Sequence, residues 1–300
     1  MTDSTTSTAG QVNPPIVVAV DGSAVAYHAA AWAAAEAALH GCPLHIVASV
    51  AIPTGFGPGA MLAESDILWL RTDGERVVGE ASRVARTAPA GASITITGDV
   101  TMEPIIPHLI AASGSARMVV VGSRGLGALR RGLLGSVSTA LTRHAHSPVA
   151  VVHAAAPIDP VSAERPVLVG VDGSPNSVPA LELAFAEASA RKVGLTALHA
   201  WSDYLGADLP VPGWDVVREM ESELLAERLA GFGERYPDVP VRRILTMDRP
   251  VRSLLEESEH AQLLVVGSHG RGGFTGMLLG STSAALLHDA DCPTIVVRAR

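Results

Sequence analysis

The chain has 300 residues, of which 48% are hydrophobic and 17% charged, and it carries a formal net charge of -8. This length allows about two ordinary domains. A composition rich in alanine and branched aliphatic residues and poor in aromatics suits a parallel sheet covered by helices. The negative charge, with no dense basic segment, disfavours binding to nucleic acid and to anionic membranes.

The cysteines and the N-terminus indicate the compartment. Cys42 and Cys292 lie far apart in the sequence, each directly before a proline. This usage predicts a reducing environment and buried free thiols rather than a disulfide framework. Residues 1–13 have neither a basic start nor an apolar stretch, so we expect a disordered tail and no signal peptide. Without a run of about 18 apolar residues, no membrane span is predicted, and we expect a cytoplasmic protein.

An internal repeat organises the rest of the chain. The motif V-D-G-S occurs at Val20–Ser23 and again at Val171–Ser174, an offset of 151. A segment rich in glycine and serine at 120–138 recurs at 265–283, an offset of 145. Such self-similarity indicates a duplicated unit. We therefore predict one domain at 14–153 and a second at 166–300, joined by an Ala- and Pro-rich linker at 154–165.

Each copy shows the same alternation of strands and helices. In the first copy, strands are predicted at 16–20, 44–50, 93–100, 117–121 and 148–152, with helices ending at 40 and spanning 64–87, 104–113 and 136–145. In the second, strands are predicted at 167–171, 195–201, 241–246, 262–266 and 294–298, with helices ending at 192 and spanning 214–236, 251–259 and 281–289. Alternating units of this kind form a parallel sheet with right-handed crossovers and helices on both faces.

Two polar segments follow strands in both copies and therefore lie at the carboxyl edge of the sheet, where ligands of open α/β sheets bind. One segment begins with Asp21 or Asp172. The other has the spacing G-x2-G, nine residues, then G-S-x-S, and it enters a helix whose N-terminal N–H groups favour phosphate. Ser136 and Ser281 could instead be plain helix caps, the glycines could serve only turns, and the two aspartates could be turn formers. Recurrence of the whole pattern favours phosphate binding.

These two motifs together resemble the ATP-binding branch of the universal stress protein family, over nearly the whole chain and as a tandem two-domain member. The resemblance implies two Rossmann-like domains, each with a five-stranded parallel sheet in the order 3-2-1-4-5. It implies ATP, with or without Mg²⁺, in the crevice between strands one and four, and so up to two ATP molecules per chain. It also implies dimer contacts through the fifth strand, either between chains or between the two halves of one chain.

The resemblance assigns site residues by position. Asp21 and Asp172 would contact the nucleoside or a metal ion. Ser49 and Ala200 would lie against adenine, with Ala19 and Gly170 lining the first strand. Independently of the resemblance, His199 and Asp203 flank the carboxyl end of the second strand of their half, where they could contact ribose. The phosphate loop of the first copy comprises Gly122, Ser123, Arg124, Gly125, Leu126, Gly127, Gly135, Ser136 and Val137. That of the second comprises Gly267, Ser268, His269, Gly270, Arg271, Gly272, Gly273, Gly280, Ser281, Thr282 and Ser283.

Other conspicuous residues are less suited to a site. His144 and His146 precede the fifth strand, at the edge opposite the predicted site, where a cation near a helix C-terminus is the simpler interpretation. Arg130 and Arg131 have no charged counterparts in the second copy. A Cβ added at Gly122 or at Gly267 is expected to obstruct phosphate.

No catalytic residue is predicted. The motif G-x4-G-K-[ST] is absent, and the only lysine, Lys192, lies in a different helix, whereas phosphoryl transfer needs a group of this kind together with metal carboxylates. The leading hypothesis is a nucleotide-dependent stress or dormancy regulator, a homodimer acting on an unidentified protein partner. A slow ATPase and a nucleotide-free scaffold remain alternatives.

Overall fold

The structure is a computed structural model that describes residues 13–51, 63–88, 93–125, 134–154, 156, 159–201, 214–270 and 278–299. The first half contains β1 (Ile16–Ala19), α1 (Ala24–Leu39), β2 (Leu44–Ser49), α2 (Glu64–Thr87), β3 (Ile96–Thr101), α3 (Ile105–Ala112), β4 (Met118–Gly122), α4 (Ser136–His144) and β5 (Val149–Val152). The predicted order of strands and helices is confirmed, with bounds that differ by only a few residues.

The second half repeats this order after a short helix, α5 (Pro160–Ala163). It contains β6 (Val167–Gly170), α6 (Val178–Arg191), β7 (Leu195–Ala200), α7 (Trp214–Arg235), β8 (Val241–Thr246), α8 (Pro250–Ser258), β9 (Leu263–Gly267), α9 (Ser281–Asp289) and β10 (Thr294–Val297). A 3₁₀ turn at Pro175–Ser177 precedes α6 and has no counterpart before α1.

Helix α5 lies within the segment predicted as a linker. Asp159 is its N-cap, and one carboxylate oxygen of Asp159 accepts hydrogen bonds from the N–H groups of Val161 and Ser162, both at 3.0 Å. Pro160 occupies the first helical position, where its missing N–H costs nothing. The sequence signal for this helix was therefore the dipeptide Asp-Pro.

The ten strands found in the described residues form one sheet, in the order β3-β2-β1-β4-β5-β10-β9-β6-β7-β8. Each half thus has the predicted order 3-2-1-4-5, and all pairings within a half are parallel. The halves join where β5 and β10 pair antiparallel, with Ala150 opposite Ile295. The fifth strands therefore pair within the chain, which is one of the two arrangements expected.

Helices cover both faces of the sheet because alternate strand residues point to opposite sides. In β1, Ile16 and Val18 face one core while Val17 faces the other. Helix α1 contributes mainly buried alanines to the first core, so its backbone can lie close to the strands. Across the same face, the rings of Phe185 and Phe232 stack with centroids 5.3 Å apart. No helix in the described part of the chain is long and apolar enough to cross a membrane.

Candidate functional site

The loop that follows β4 is tied to its surroundings by backbone bonds. The N–H of Ser123 donates to the carbonyl of Val152 at 2.8 Å, which extends the β4–β5 ladder. At the other end of the loop, the N–H of Gly135 donates to the carbonyl of the same residue, Ser123, at 2.9 Å. The buried Ser138 hydroxyl then donates to the Gly122 carbonyl at 3.0 Å. These bonds fix the start of α4 against the end of β4.

The loop after β9 has the same three bonds. Ser268 N–H donates to Val297 at 2.7 Å, Gly280 N–H donates to Ser268 at 2.7 Å, and the Ser283 hydroxyl donates to Gly267 at 2.6 Å. Ser283 was predicted as a nucleotide ligand, but its side chain is buried and joins α9 to β9. The sequence repeat is thus a structural repeat at the level of single hydrogen bonds.

Both loops deliver an uncapped helix N-terminus. The N-caps are Gly135 and Gly280, with extended dihedrals, and neither helix start has a side-chain cap bond. Ser136 and Ser281 are exposed residues of the first helical turn, so the alternative that they are N-caps is wrong. The first N–H groups of α4 and α9 have no partner inside the helix, and with the helix dipole they favour an anion.

Asp21 and Asp172 each close a tight turn after the first strand of their half. One carboxylate oxygen accepts from an N–H two residues on, at 3.0 Å for Asp21 to Ser23 and 2.9 Å for Asp172 to Ser174. The intervening glycines have positive φ, 88° in Gly22 and 74° in Gly173, where a side chain would be strained. The turn-forming interpretation of the aspartates is therefore correct, and it leaves the second oxygen of each carboxylate facing elsewhere.

That second oxygen faces the glycine loop. A Cβ placed on Gly125 would overlap Oδ2 of Asp21, and one on Gly270 would lie 2.7 Å from Oδ2 of Asp172. Separations under 3.0 Å are essentially never seen for real Cβ atoms. The two motifs, about 100 residues apart in the sequence, thus meet at the carboxyl edge of the sheet in both halves. An acidic oxygen beside an exposed glycine loop and a helix N-terminus can hold a ligand that carries both a phosphate and a hydroxyl or metal ion.

Gly122 and Gly267 lie close to the segment that follows the first strand of their half. A Cβ on Gly122 would lie 3.0 Å from Cγ1 of Val25 in α1 and 3.2 Å from the Arg124 carbonyl. A Cβ on Gly267 would lie 3.1 Å from the Asn176 carbonyl. Each added Cβ would therefore crowd the segment that follows the first strand of its half. These contacts lie within the protein and do not test the expected obstruction of phosphate.

The predicted adenine-facing residues lie at strand ends on the opposite face of the sheet from Val25. The Ser49 hydroxyl donates to the Glu103 carbonyl at 2.7 Å and accepts from an N–H at 3.3 Å. Ala19 and Ala200 are half-buried against the core formed with α3, α4, α8 and α9, and a Cβ on Gly170 would touch Leu254 of α8. Ser49 therefore anchors the segment after β3, and the other three contribute apolar surface at the strand ends of their own halves.

Both ring nitrogens of His199 have partners within the protein. The ring is buried, with Nδ1 at 2.7 Å from the Val171 carbonyl and Nε2 at 2.8 Å from a carboxylate oxygen of Glu221. Both nitrogens thus join β7 to the end of β6 and to α7. The predicted residues Leu126, Gly127, Asp203, Arg271, Gly272 and Gly273 lie outside the described residues, as do Arg130 and Arg131.

The two loops differ in charge. Arg124 in the first half corresponds to His269 in the second, and the Nδ1 atom of His269 lies 3.0 Å from the Ser268 hydroxyl. Lys192 ends α6 with φ of 57°, at the edge of the sheet opposite both loops. Cys42 and Cys292 are free and buried, as predicted. Burial raises the pKa of the Cys292 thiol to about 12.

Sequence reasoning missed the cluster of Glu36, His40 and Glu187. It is the only group of potential metal ligands in the described part of the chain, whereas His144 and His146 are exposed and belong to no such group. The signal that could have revealed it is the pattern Glu-x3-His in α1 and Glu-x3-Arg at the matching positions of α6.

The fold and the paired loops define a class of protein, the tandem α/β proteins with two Rossmann-like domains. The model of the universal stress protein family matches residues 13–153 and 164–298. The chain belongs to this family, which confirms the resemblance seen in the sequence.

Relatives of similar length support this assignment. The universal stress protein Rv2005c of Mycobacterium tuberculosis is 46% identical over 284 residues, covering 94% of this chain and 96% of the relative. Rv1996 of the same organism is 44% identical over 311 residues, covering 97% and 96%. A crystal structure of a universal stress protein from Archaeoglobus fulgidus has a TM-score of 0.70 at 20% identity and covers 95% of this chain and 98% of that one. This last likeness concerns the fold.

Proposed function

We propose that the chain binds ATP at two sites, one in each half, where the aspartate turn meets the glycine loop. The observation that carries this proposal is duplicated: the carboxylate of Asp21 occupies the space next to Gly125, and that of Asp172 the space next to Gly270, each close to an uncapped helix. Phosphates would lie at the N-termini of α4 and α9. The aspartate would contact ribose or a Mg²⁺ ion, and Ala19 and Ala200 would offer an apolar surface to adenine.

We expect slow turnover of ATP because of the side chains around the glycine loops after β4 and β9. The single lysine of the chain lies at the opposite edge of the sheet, so it cannot neutralise charge on a transferred phosphoryl group. The carboxylate that faces the glycines in each half already accepts a hydrogen bond within a turn. The protein is thus a holder of nucleotide, and we infer a regulator whose ligand alters its contacts with a protein partner in the stress response.

The first experiment identifies the ligand. Protein as purified is denatured, and the supernatant is chromatographed for adenine nucleotides. Protein stripped of ligand is then titrated with ATP and Mg²⁺ by calorimetry, with an expected stoichiometry of up to two. ATP at 100 times its Kd should stabilise the fold by about 2.7 kcal/mol. No released nucleotide and no ATP-dependent rise in Tm would favour a scaffold instead.

The second experiment separates the two sites and tests for catalysis. Asp21→Glu and Asp172→Glu displace each carboxylate by about one methylene, and each should remove one of two binding events. Binding of two ATP molecules at full affinity by both variants would show that the sites lie elsewhere. ATP turnover near 1 s⁻¹ or faster, the low end for typical enzymes, would replace the binding function with an enzymatic one. Light scattering of the full chain tests the proposed homodimer.

A further inference from the structure

The residue that follows the fifth strand of each half reaches into the other half. His153 follows β5 and Arg298 follows β10, at the same offset of 145 that relates the two glycine loops. Nε2 of His153 lies 2.9 Å from the Leu287 carbonyl in the last turn of α9. Nη1 of Arg298 donates at 3.0 Å to the carbonyl of Ala145, the C-cap of α4. Each fifth strand is therefore tied to the end of the helix that begins at the candidate site of the other half.

The antiparallel pairing of β5 with β10 makes these crossed bonds possible. It places the carboxyl end of each strand beside the amino end of the other. Helix α4 ends shortly before the amino end of β5, and α9 ends shortly before that of β10. A side chain that leaves the carboxyl end of one fifth strand thus meets the last carbonyls of the helix from the other half, which lack partners within the helix.

The two crossed bonds differ in chemistry. Arg298 brings a permanent cation to the C-terminus of α4, where the helix dipole favours positive charge. His153 is buried, and burial together with the nearby charge of Arg124 lowers its pKa. Its ring donates through Nε2, because a carbonyl can only accept, while Nδ1 has no hydrogen-bond partner in the described part of the chain. His153 thus lies between α9 and a residue of the first glycine loop.

The residue before each of these side chains is bonded to the glycine loop of its own half. The Val152 carbonyl accepts from the Ser123 N–H at 2.8 Å. The Ser123 carbonyl accepts in turn from the N–H of Gly135, the N-cap of α4. The equivalent bonds of the second half join Val297, Ser268 and Gly280. Both candidate phosphate positions are therefore bonded to the end of a fifth strand.

Together these bonds close a ring, which we call the interdomain ring. It runs from the first glycine loop along the end of β5 and through His153 to α9 and the second glycine loop. It returns from the end of β10 through Arg298 and α4 to the first loop. Each helix is thus held at its N-terminus by one candidate site and at its C-terminus by a residue next to the other site.

This arrangement lets a ligand at one site act on the other. An anion at the first N–H groups of α9 interacts with the helix dipole and fixes the position of the helix. The fixed helix holds the Leu287 carbonyl against His153, and the adjoining Val152 holds the loop at Ser123. A second ligand then has fewer groups left to immobilise, which gives positive coupling without a change of fold. Hydrogen bonds in series also strengthen one another.

We propose that the interdomain ring couples the two candidate sites, so that a ligand bound in one half raises the affinity of the other half. For nucleotide, this rests on the proposed function. The tie between the two glycine loops exists in the free protein and can be measured there. His153 and Arg298 are positioning residues, because each acts through a helix and not on the ligand.

Two variants each break one bond of the ring. Arg298→Met removes the donor to the C-cap carbonyl of α4. His153→Phe removes the donor to α9 and also the unpartnered Nδ1. Arg165→Met is the matched control, because Nη1 of Arg165 donates at 3.0 Å to the carbonyl of Glu259, the C-cap of α8, a helix outside the ring.

Amide hydrogen exchange of the ligand-free chain gives the first readout. In Arg298→Met, the N–H of Gly135 should exchange about two- to tenfold faster, the range expected from the loss of one hydrogen bond, although the whole of α4 separates the two residues. In His153→Phe, the N–H of Gly280 should respond in the same way through α9. Both rates should stay at the wild-type value in Arg165→Met. Unchanged rates in both ring variants would overturn the proposal.

Calorimetric titration of the full chain with ATP and Mg²⁺ gives the second readout. The product of the two stepwise association constants is divided by the product of the single-site constants of Asp21→Glu and Asp172→Glu. This ratio is the coupling factor, and unequal sites do not bias it. We expect about 5–10 in the wild type, near the low end for allosteric coupling. The control Arg165→Met should keep this factor, and Arg298→Met and His153→Phe, measured with the same two single-site changes, should lose it.

The outcomes separate the coupling from the proposed function. No coupling or negative coupling in the wild type, or a factor that survives in both ring variants, would overturn the proposal even if two ATP molecules bind. If ATP does not bind but the exchange rates change as expected, the nucleotide function fails and the coupling of the two loops stands. If His153→Phe does not fold, Arg298→Met decides alone, because Arg298 is only half-buried.

Discussion

Replacing Gly125 by alanine tests the contact on which the proposed function rests. The added Cβ would overlap Oδ2 of Asp21, and restoring an ordinary contact of about 3.4 Å requires the carboxylate to retreat by about 1 Å. Asp21 is exposed and can rotate, so the free energy of unfolding should change by less than about 0.5 kcal/mol. The ligand contact of Asp21 should weaken by about 1.4 kcal/mol, which is tenfold in ATP affinity at one site.

The second half provides an internal comparison. A Cβ on Gly270 would lie 2.7 Å from Oδ2 of Asp172, so the overlap is milder and the loss of affinity should be smaller than for Gly125→Ala. Gly79→Ala is the matched control, because no atom lies within 4 Å of its added Cβ and helix α2 gains an alanine. Calorimetric titration of the three variants gives affinity and stoichiometry. Wild-type binding by Gly125→Ala, or an equal loss in Gly79→Ala, would refute the placement of the site.

Three further substitutions or reactions probe other parts of the fold. Gly122→Ala should lower the free energy of unfolding by about 1–3 kcal/mol, because the added Cβ would crowd Val25, and it should leave the ATP affinity of the folded protein unchanged. Urea unfolding of the double variant with Val25→Ala should show that part of the lost stability is recovered. Arg191→Met should lower the free energy of unfolding by about 3–5 kcal/mol, because it leaves the buried carboxylates of Glu36 and Glu187 without their cation. In a double-mutant cycle, Glu36→Gln should offset much of this loss, and additive losses would contradict the ion-pair account. Cys292 should resist alkylation at pH 8 in the native protein and react at once in urea, because burial raises the pKa of its thiol to about 12. Rapid labelling of the native protein, detected by mass spectrometry, would contradict the burial of this thiol.

Much of the candidate site could be predicted because each half contains the same two short sequence motifs. The V-D-G-S motif specifies a strand, a positive φ at Gly22 or Gly173 and a helix start, and all of these lie within a few residues of one another. The glycine loop was located in the same way. What the local pattern could not indicate is which atoms face each glycine, such as Val25 next to the position of a Cβ added at Gly122.

The sequence alone determined the fold class, the duplication and the family, because hydrophobic periodicity and glycine spacing are local patterns that can be read directly from the sequence. Only the tertiary structure decided how distant side chains meet. The approach of the Asp21 carboxylate to Gly125 depends on the strand order that brings β1 beside β4. The contacts of His40 with Glu187 and of Arg191 with Glu36 depend on the antiparallel pairing of β5 with β10, which brings together residues about 150 positions apart. The energy of an ion pair depends on the distance between the charges in space. The charges of Glu36 and Glu187 interact strongly with their neighbours only because burial removes water from around them.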